Sequence, residues 1–453
     1  MHNDTHILHR QTQSKLPVAS YGDGPYVVDS NGKRYLDACG GAAVSCLGYS
    51  HPRVTQAIKD QLDKLAFAHS AFFTSEPAEQ LADFLVQRAP EGIEHVYFVS
   101  GGSEAIESAL KLARQYHLEK GEPQRRTFIA RRQSYHGNTL GALAVGGNKA
   151  RREAYGPLLM DIEHISPCYQ YRNQGADESV EDYGLRAANE LDSRLQQIGA
   201  ENVIAFVAET VGGATAGVLV PTPGYWKRIR EICDKHGILL ILDEVMCGMG
   251  RTGSLFACEQ EALRPDIVAV AKALGAGYQP IGAMLCSHDI FEAVRTGSGS
   301  FKHGHTYLSH STACAAALAV QESIEEENLL QNVCEKGEEL QQALNQRFSN
   351  HPAIGDIRGR GLFWGIELVS NKKTKQPFSP DLKIDQLIKH HAMEQCLMCY
   401  PGSGTVDGLR GNHILLAPPF IISSDQVREI VEKLAKAIDG AFTELGLKES
   451  ISR

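Results

Sequence analysis

Pro265-Asp266-Ile267-Val268-Ala269-Val270-Ala271-Lys272-Ala273-Leu274-Gly275-Ala276-Gly277 is an apolar run closed by a lysine and a glycine-rich turn. Ile267 to Ala271 reads as a buried strand, so Lys272 emerges where the strand ends. A second run, Ile238-Leu239-Leu240-Ile241-Leu242, ends in Asp243 and continues as Glu244-Val245. Both ends should surface on the carboxyl edge of one sheet, where open α/β sheets place ligands. A lysine amine attacks an aldehyde only when neutral, and partial burial lowers its pKa toward working pH. An aspartate on the same edge can keep a ring nitrogen protonated, and the charged ring then withdraws electrons from a carbon that loses its proton. Taken singly, Lys272 reads as a partly solvated lysine at a strand end and Asp243 as a helix cap. The motifs around them give the pair its meaning.

Outward from this pair, the runs Val96-Tyr97-Phe98-Val99, Thr127-Phe128-Ile129-Ala130, Ile204-Ala205-Phe206-Val207-Ala208 and Ala283-Met284-Leu285-Cys286 alternate with stretches of helical periodicity. Strands separated by helices imply an α/β fold around a mostly parallel, doubly wound sheet. The entry differs. From Gly22 to Asp37 short strands are joined by turn residues, with Asn31-Gly32 a strong hairpin signal. After Ser311 a long alanine-rich helical stretch, acidic at Glu325-Glu326-Glu327, leads into a last third of mixed strands and helices. The closing helix carries Val427, Ile430, Val431, Leu434, Ala437, Ile438, Ala441, Phe442 and Leu445 at helical spacing, so one face docks on a core. The expected division is a large central domain over residues 61–310, with residues 1–60 and 311–453 together building a smaller α+β domain.

The 453 residues are 43% hydrophobic and 22% charged, ordinary for a globular enzyme of two or three structural units. A net charge of −9 and the absence of any basic block exclude nucleic acid and anionic membrane surfaces as expected partners. Met1-His2-Asn3-Asp4-Thr5-His6-Ile7-Leu8 lacks the basic and apolar regions of a targeting signal, and no stretch approaches the ~18 apolar residues of a membrane span. The eleven cysteines, odd in number and scattered through apolar contexts, suit reduced core thiols. A cytoplasmic location is expected. Cys396-Leu397-Met398-Cys399 is formally CxxC, but no second pair completes a zinc site, and it reads as buried packing.

Val96 to Ser100 reads as a strand, Gly101-Gly102 as a tight turn, and Ser103 to Arg114 as a helix with apolar Ile106, Ala109, Leu110 and Ala113. A helix amino terminus preceded by glycines offers free N–H groups and a positive dipole end to a dianionic phosphate. Gly102 and Ser103 are the candidate phosphate ligands, and Ser103 can cap the helix as well. His303-Gly304-His305-Thr306-Tyr307 places a second hydroxyl after a glycine turn. Its histidines, with His310 nearby, invite a metal reading, but no carboxylate lies at ligand spacing and no metal is expected. Gly248-Met249-Gly250-Arg251-Thr252-Gly253 matches the G-x-G-x-x-G of dinucleotide folds. Asp243 and Glu244 intervene there and put negative charge where a pyrophosphate would sit, so the match is set aside.

In this order the motifs resemble those of the class III pyridoxal phosphate aminotransferases, the ω-aminotransferase group of fold type I, over essentially the whole chain. The resemblance rests on Gly32-Lys33-Arg34-Tyr35-Leu36-Asp37, Ser100-Gly101-Gly102-Ser103-Glu104-Ala105, Tyr135-His136-Gly137-Asn138-Thr139, Asp243-Glu244-Val245 with the glycine run after it, Lys272, Thr306 and Ala417-Pro418-Pro419. It implies a seven-stranded central sheet and pyridoxal 5′-phosphate as cofactor. It further implies Lys272 as Schiff base and proton shuttle, Asp243 on the pyridine nitrogen, Tyr135 on one ring face and Val245 on the other. Gly102 and Ser103 would hold the phosphate, joined by Thr306 from a neighbouring subunit, which makes a homodimer the minimum unit. Glu209 matches the family's glutamate near the cofactor. The usual Glu-Pro is Glu209-Thr210 here, so the following loop is expected to differ.

Two departures bear on substrate. Ala43 stands where the amine and β-alanine branches commonly carry a tryptophan that walls the pocket, which favours a larger or more polar donor. Met246 stands where the ornithine and 4-aminobutyrate branches commonly place a glutamine, which favours the ω-amino acid or amine:pyruvate side. Arg410 lies two residues from the usual position of the carboxylate-binding arginine of pyruvate-using members; a surface arginine is the other reading. The expected activity is transfer of an amino group from an ω-amino acid, amine or diamine to pyruvate or another small keto acid. Alternatives are an aminomutase, racemase or decarboxylating aminotransferase on the same fold, and a noncatalytic regulatory protein. The last is disfavoured by the complete set Lys272, Asp243 and Thr306.

Overall fold

Three short strands open the chain in the computed structural model, β1 (Ala19–Asp23), β2 (Tyr26–Asp29) and β3 (Arg34–Asp37). The structure describes residues 5–447; residues 1–4 of the stretch read for a targeting signal, and 448–453 of the expected smaller domain, lie outside the described residues. The hairpin at Asn31-Gly32 forms as expected. Gly32 takes φ +79°, and the Asp29 carboxylate accepts the N–H groups of Asn31 and Lys33, each at 2.9 Å.

The central sheet holds β4 (Ile93–Val99), β5 (Thr127–Arg131), β6 (Glu163–Ile165), β7 (Val203–Glu209), β8 (Leu239–Asp243), β9 (Ile267–Val270) and β10 (Gly282–Ser287), in the spatial order 4-10-9-8-7-5-6. Strands β6, β5, β7, β8 and β9 pair in parallel, while β10 is antiparallel to both β9 and β4. A parallel return needs a crossover of about a dozen residues or more, usually helical. The link from β9 to β10 holds only a short helical turn, Lys272–Leu274, and β10 therefore comes back antiparallel.

The strands are apolar without alternation because both faces are covered. Ala205, Val207, Leu239, Ile241, Ile267 and Ala269 join a core with Ile106, Ala109 and Ala113 of the helix Gly102–Glu119. Their neighbours Phe206, Ala208, Leu240, Leu242, Val268 and Val270 face the opposite core, with Leu191 of the helix Val180–Ile198 and Ile229 of the helix Tyr225–His236. No described helix is long and apolar enough to cross a membrane.

The carboxyl-terminal third adds β11 (Ile354–Arg360), β12 (Phe363–Leu368), β13 (Leu397–Met398), β14 (Tyr400–Ser403) and β15 (Asn412–Leu416). β13 pairs in parallel with β3, so the two ends of the chain share one sheet, β1-β2-β3-β13. The others form an antiparallel sheet, β11-β12-β15-β14. The closing helix, Ser424–Glu444, starts with a capping box between Ser423 and Gln426 and buries the apolar face read from the sequence. One expectation needs correcting. Cys396 and Cys399 flank the two-residue strand β13 and are half-buried, because so short a strand covers neither; all eleven cysteines are free.

A buried charge cluster clasps the antiparallel sheet to the stretch from Tyr169 to Arg172. Glu367 of β12, fully buried, accepts from Arg172 Nε at 2.6 Å, from Arg358 NH1 at 2.7 Å and from the Tyr169 hydroxyl. Burial alone would push its pKa up, but Arg358 and Arg172 outweigh that and hold it below the usual range. Removing one partner of a buried ion pair costs about 3–5 kcal/mol. Glu367→Ala is therefore expected to lower the free energy of unfolding by an amount of that order, read from denaturation curves. A depressed carboxylate contributes stability above its unfolded pKa, about 4.3, and loses it as pH falls through the folded value. The gap between parent and Glu367→Gln in denaturation should thus be full near neutrality and close in acid.

Candidate active site

β7, β8 and β9 lie side by side in register, with Glu209 opposite Asp243 and Asp243 opposite Ala269. Paired strands run about 4.8 Å apart, so both carboxylate residues stand together at the carboxyl edge of the sheet. Lys272 follows β9 in the tight turn Lys272–Leu274. These three line one cavity of about 410 Å³ with Gly102, Ser103, Tyr135, His136, Val245 and Met246. Val44, Gln279, Pro280 and Ile281 also line it, and nothing in the sequence pattern had singled them out.

Asp243 is held from two sides. Its Oδ1 accepts the Val245 N–H at 2.9 Å, and its Oδ2 accepts from His136 Nδ1 at 2.7 Å. The second contact fixes the hydrogen on Nδ1, because an ionised carboxylate only accepts. His136 Nε2 is buried with no protein partner among the described residues. The sequence carried His136 inside the Tyr135 motif without giving it a role; its position next to Tyr135 was the available signal. Glu209 accepts the N–H groups of Tyr135 at 3.1 Å and Gly213 at 2.6 Å. Burial pushes its pKa up and Asp243 adds to this, against the lowering influence of His136 and Arg131.

Burial lowers the pKa of Lys272, opposed by the negative charges of Asp243 and Glu209. The residue also sits at φ +47°, in the left-handed region, which costs an L-residue about 1–2 kcal/mol. Such strain persists only where the surrounding structure over-determines it. Here Lys272 is fixed between β9 and the turn to β10, where it lines the cavity and burial desolvates its amine.

The helix Gly102–Glu119 begins at the cavity, where Ser100, Gly101, Gly102 and Ser103 all contribute to the lining. The first N–H groups of a helix have no partner within it. Glycine at 102 is required by close approach, since a Cβ there would lie 2.7 Å from Val245 Cγ1. Gly137, at φ +135°, passes over Ser103, and a Cβ would come within 2.6 Å of its Oγ. The Ser103 hydroxyl accepts from Asn138 N at 3.1 Å and donates to Asn138 Oδ1 at 2.9 Å.

Three candidates stand apart from the cavity lining. Ala43 is buried in a cluster with Met246, Cys247 and Ala417, and its neighbour Val44 reaches the cavity instead. The chain passes from Gly40 to Ala43 with φ of +56°, +55°, +70° and +65°, a left-handed turn that swings Val44 into the wall. Thr306 is exposed on its loop. Arg410 is bonded to Asp407 Oδ2 at 2.7 Å, with 61% of its side chain exposed. The glycine run after β8 makes turns at Gly250 and Gly253, φ +95° and +100°. Buried Glu244 anchors it by accepting from Ala257 N at 2.6 Å, Cys258 N at 2.8 Å and the Thr210 hydroxyl at 2.8 Å. Thr210, the departure from Glu-Pro, thus serves as a tie between the ends of β7 and β8.

The sequence profile of the family described as Aminotransferase class-III matches residues 8–438. The chain belongs to that family. This aminotransferase is 44% identical over 441 residues to an uncharacterized aminotransferase of Schizosaccharomyces pombe, covering 97% of this chain and 96% of that one. It is 36% identical over 423 residues to the putrescine–pyruvate aminotransferase of Pseudomonas aeruginosa, covering 93% and 90%. Among solved structures it is similar to the omega transaminase of Pseudomonas jessenii in complex with PMP, with a TM-score of 0.90, 32% identity and coverage of 96% and 94%. These likenesses make it a PLP fold type I enzyme.

A lysine with a lowered folded pKa penalises the folded state while protonated, and the penalty lifts as pH rises toward the unfolded value of about 10.4. In the aminotransferase freed of cofactor, Lys272→Met is expected to raise stability near pH 7 by roughly 0.5–2 kcal/mol. The gain should shrink as pH rises toward 10. Denaturation curves of the two proteins at several pH values check both the sign and the trend.

Proposed function

We propose that this aminotransferase uses pyridoxal 5′-phosphate to move an amino group from an ω-amino acid, amine or diamine to pyruvate or another small keto acid. The observation that carries the reading is that Lys272 and Asp243, distant in sequence, line one cavity of a size suited to a cofactor and a small substrate. The residues fit the group. Gly102 and Ser103, at the positive end of an 18-residue helix, would hold its phosphate. Asp243, braced by His136, would hold the ring nitrogen, with Tyr135 and Val245 against the ring faces and Glu209 beside it. When bound, the cofactor supplies an electron-withdrawing ring that acidifies the hydrogen on the substrate carbon.

This chain's residues do the rest. Lys272 would anchor the cofactor's aldehyde and, as a free amine, would take the proton from the substrate carbon and deliver it to the cofactor's C4′ carbon. One group acting as base and then acid wants a pKa near neutrality, and burial moves Lys272 in that direction. Asp243 would place its carboxylate against the ring nitrogen, and the 2.7 Å bond from His136 keeps that carboxylate oriented. Met246 in the lining and the likeness to a putrescine–pyruvate enzyme support an amine or ω-amino acid donor.

A homodimer is part of the reading. Phe67 packs edge-on to Tyr307, with ring centroids 5.7 Å apart, and this joins two loops that leave Phe72, Phe73 and Tyr307 at 78%, 70% and 59% exposure. A contiguous apolar patch of this kind calls for a covering surface. Thr306 lies inside it, suited to reach the phosphate of a second copy.

The test is the visible spectrum of the purified protein as β-alanine, 4-aminobutyrate, putrescine, taurine and 1-phenylethylamine are added in turn without keto acid. Loss of the yellow band with one donor, restored by pyruvate, is expected; a protein that takes up no cofactor overturns the reading. Lys272→Ala should abolish turnover. Asp243→Asn, which loses a charge-assisted bond worth about 1.5–3 kcal/mol, should bind cofactor roughly 10- to 100-fold more weakly. Arg410→Ala should raise KM for pyruvate while bleaching by the donor survives, if its guanidinium binds the acceptor carboxylate.

A further inference from the structure

At the amino-terminal end of β4, remote from the cavity, Glu94, His95 and His288 converge. Their ligand-type atoms all lie within 4.8 Å of one another. His95 Nε2 is 3.4 Å from His288 Nδ1, and Glu94 Oε2 is 3.2 Å from His288 Nδ1. Successive strand residues normally point to opposite faces, so Glu94 and His95 should not share a partner. A bulge removes the conflict. In the pairing of β4 with β10, Cys286 faces His95 and Ser287 faces Ile93, which leaves Glu94 as the extra residue. Bulges re-aim side chains in this way. His288 follows β10 at once and opens the helix His288–Thr296.

Apart from the Nε2 contact to His288, the His95 ring is held by stacking. It stacks on Phe291 of that helix, with centroids 3.7 Å apart and planes 16° from parallel. Glu292, one turn beyond His288, adds negative charge nearby while its own oxygens are taken by Arg295 at 2.7 and 2.6 Å. The spacing of the ligand-type atoms is informative. In a tetrahedral site with metal–nitrogen bonds of 2.0–2.1 Å, ligand atoms stand about 3.3 Å apart. Two of the three separations here are already close to that edge length. Two imidazoles and a carboxylate suit zinc and its transition-metal neighbours far better than calcium or magnesium.

We propose that Glu94, His95 and His288 form a peripheral site for a zinc-type divalent cation that ties the edge strand β4 to the helix His288–Thr296, with solvent completing the coordination. The site is separate from the transamination centre. The strand residues 96–99 of β4 separate it from the phosphate loop at Ser100, about 17 Å at the rise of a strand. The residues come from two segments 193 positions apart, which explains why no sequence motif announces them.

The experiment is a calorimetric titration of Zn²⁺ into chelator-treated holoenzyme. One equivalent per chain is expected. His288→Ala and His95→Ala should each weaken binding at least about tenfold, a loss that even outer-shell changes can bring. Retained transaminase activity in both variants reports that they fold. Co²⁺ in place of Zn²⁺ should give visible d–d bands in the parent protein that vanish in the variants. Absence of saturable binding in the parent, or unchanged stoichiometry and affinity in the His95→Ala/His288→Ala double variant, overturns the proposal.

Discussion

The register of three neighbouring strands is the constraint on which the site depends. Because Glu209 pairs with Asp243 and Asp243 with Ala269, the ends of β7, β8 and β9 place two carboxylates and, one turn later, an amine on one edge. Two buried carboxylates on adjacent strands repel unless each finds its own donors. Asp243 takes His136 and the Val245 N–H, and Glu209 takes the N–H groups of Tyr135 and Gly213. The loop from Tyr135 to Gly137 thereby serves both acids at once. A slip of one residue in either strand would turn one acid into the apolar core and leave the other without its partners.

Around that edge, close backbone approach does as much as side-chain chemistry. Gly102 admits Val245, and Gly137 admits Ser103. Gly40 lies so near Ala417 that a Cβ would fall 2.4 Å from its carbonyl oxygen. Pro418 next to it accepts from the fully buried Arg251, at 2.5 Å, whose guanidinium also donates to Leu362 O at 3.0 Å and lies 4.6 Å from the Phe420 ring. The Ala417-Pro418-Pro419 stretch and the glycine run around Arg251 are therefore two halves of one joint between the end of β15 and the turn after β8. Buried Glu367 makes a second joint through Arg172 and Arg358. Both joints are ionic or charge-assisted and buried, so their geometry is exacting.

Strain sits where the chemistry is. Lys272 and the left-handed turn that carries Val44 into the wall are sterically costly backbone positions, and both border the cavity. A lysine with a relaxed backbone at the end of β9 would have more freedom to reach solvent. The fold instead confines the amine where water is scarce, and the same confinement lowers its pKa. Stability is given up locally for an amine that is fixed in place and whose pKa burial lowers.

The sequence by itself determined the alternation of strands and helices, the ends at Asp243 and Lys272, the glycine-led helix at Gly102, the entry hairpin and the apolar face of the closing helix. Each is a local pattern of period, turn chemistry or capping, and such patterns survive without knowledge of the rest of the chain. Tertiary structure alone decided what depends on segments far apart. It turned β10 antiparallel, set His136 against Asp243, put Val44 rather than Ala43 at the cavity, and left Arg410 bonded to Asp407 on the surface. It also gathered Glu94, His95 and His288 across a bulge. None of these is written in a spacing, because a hydrogen bond or a lining position between distant residues depends on how the sheet stacks its strands and how the covering loops cross them.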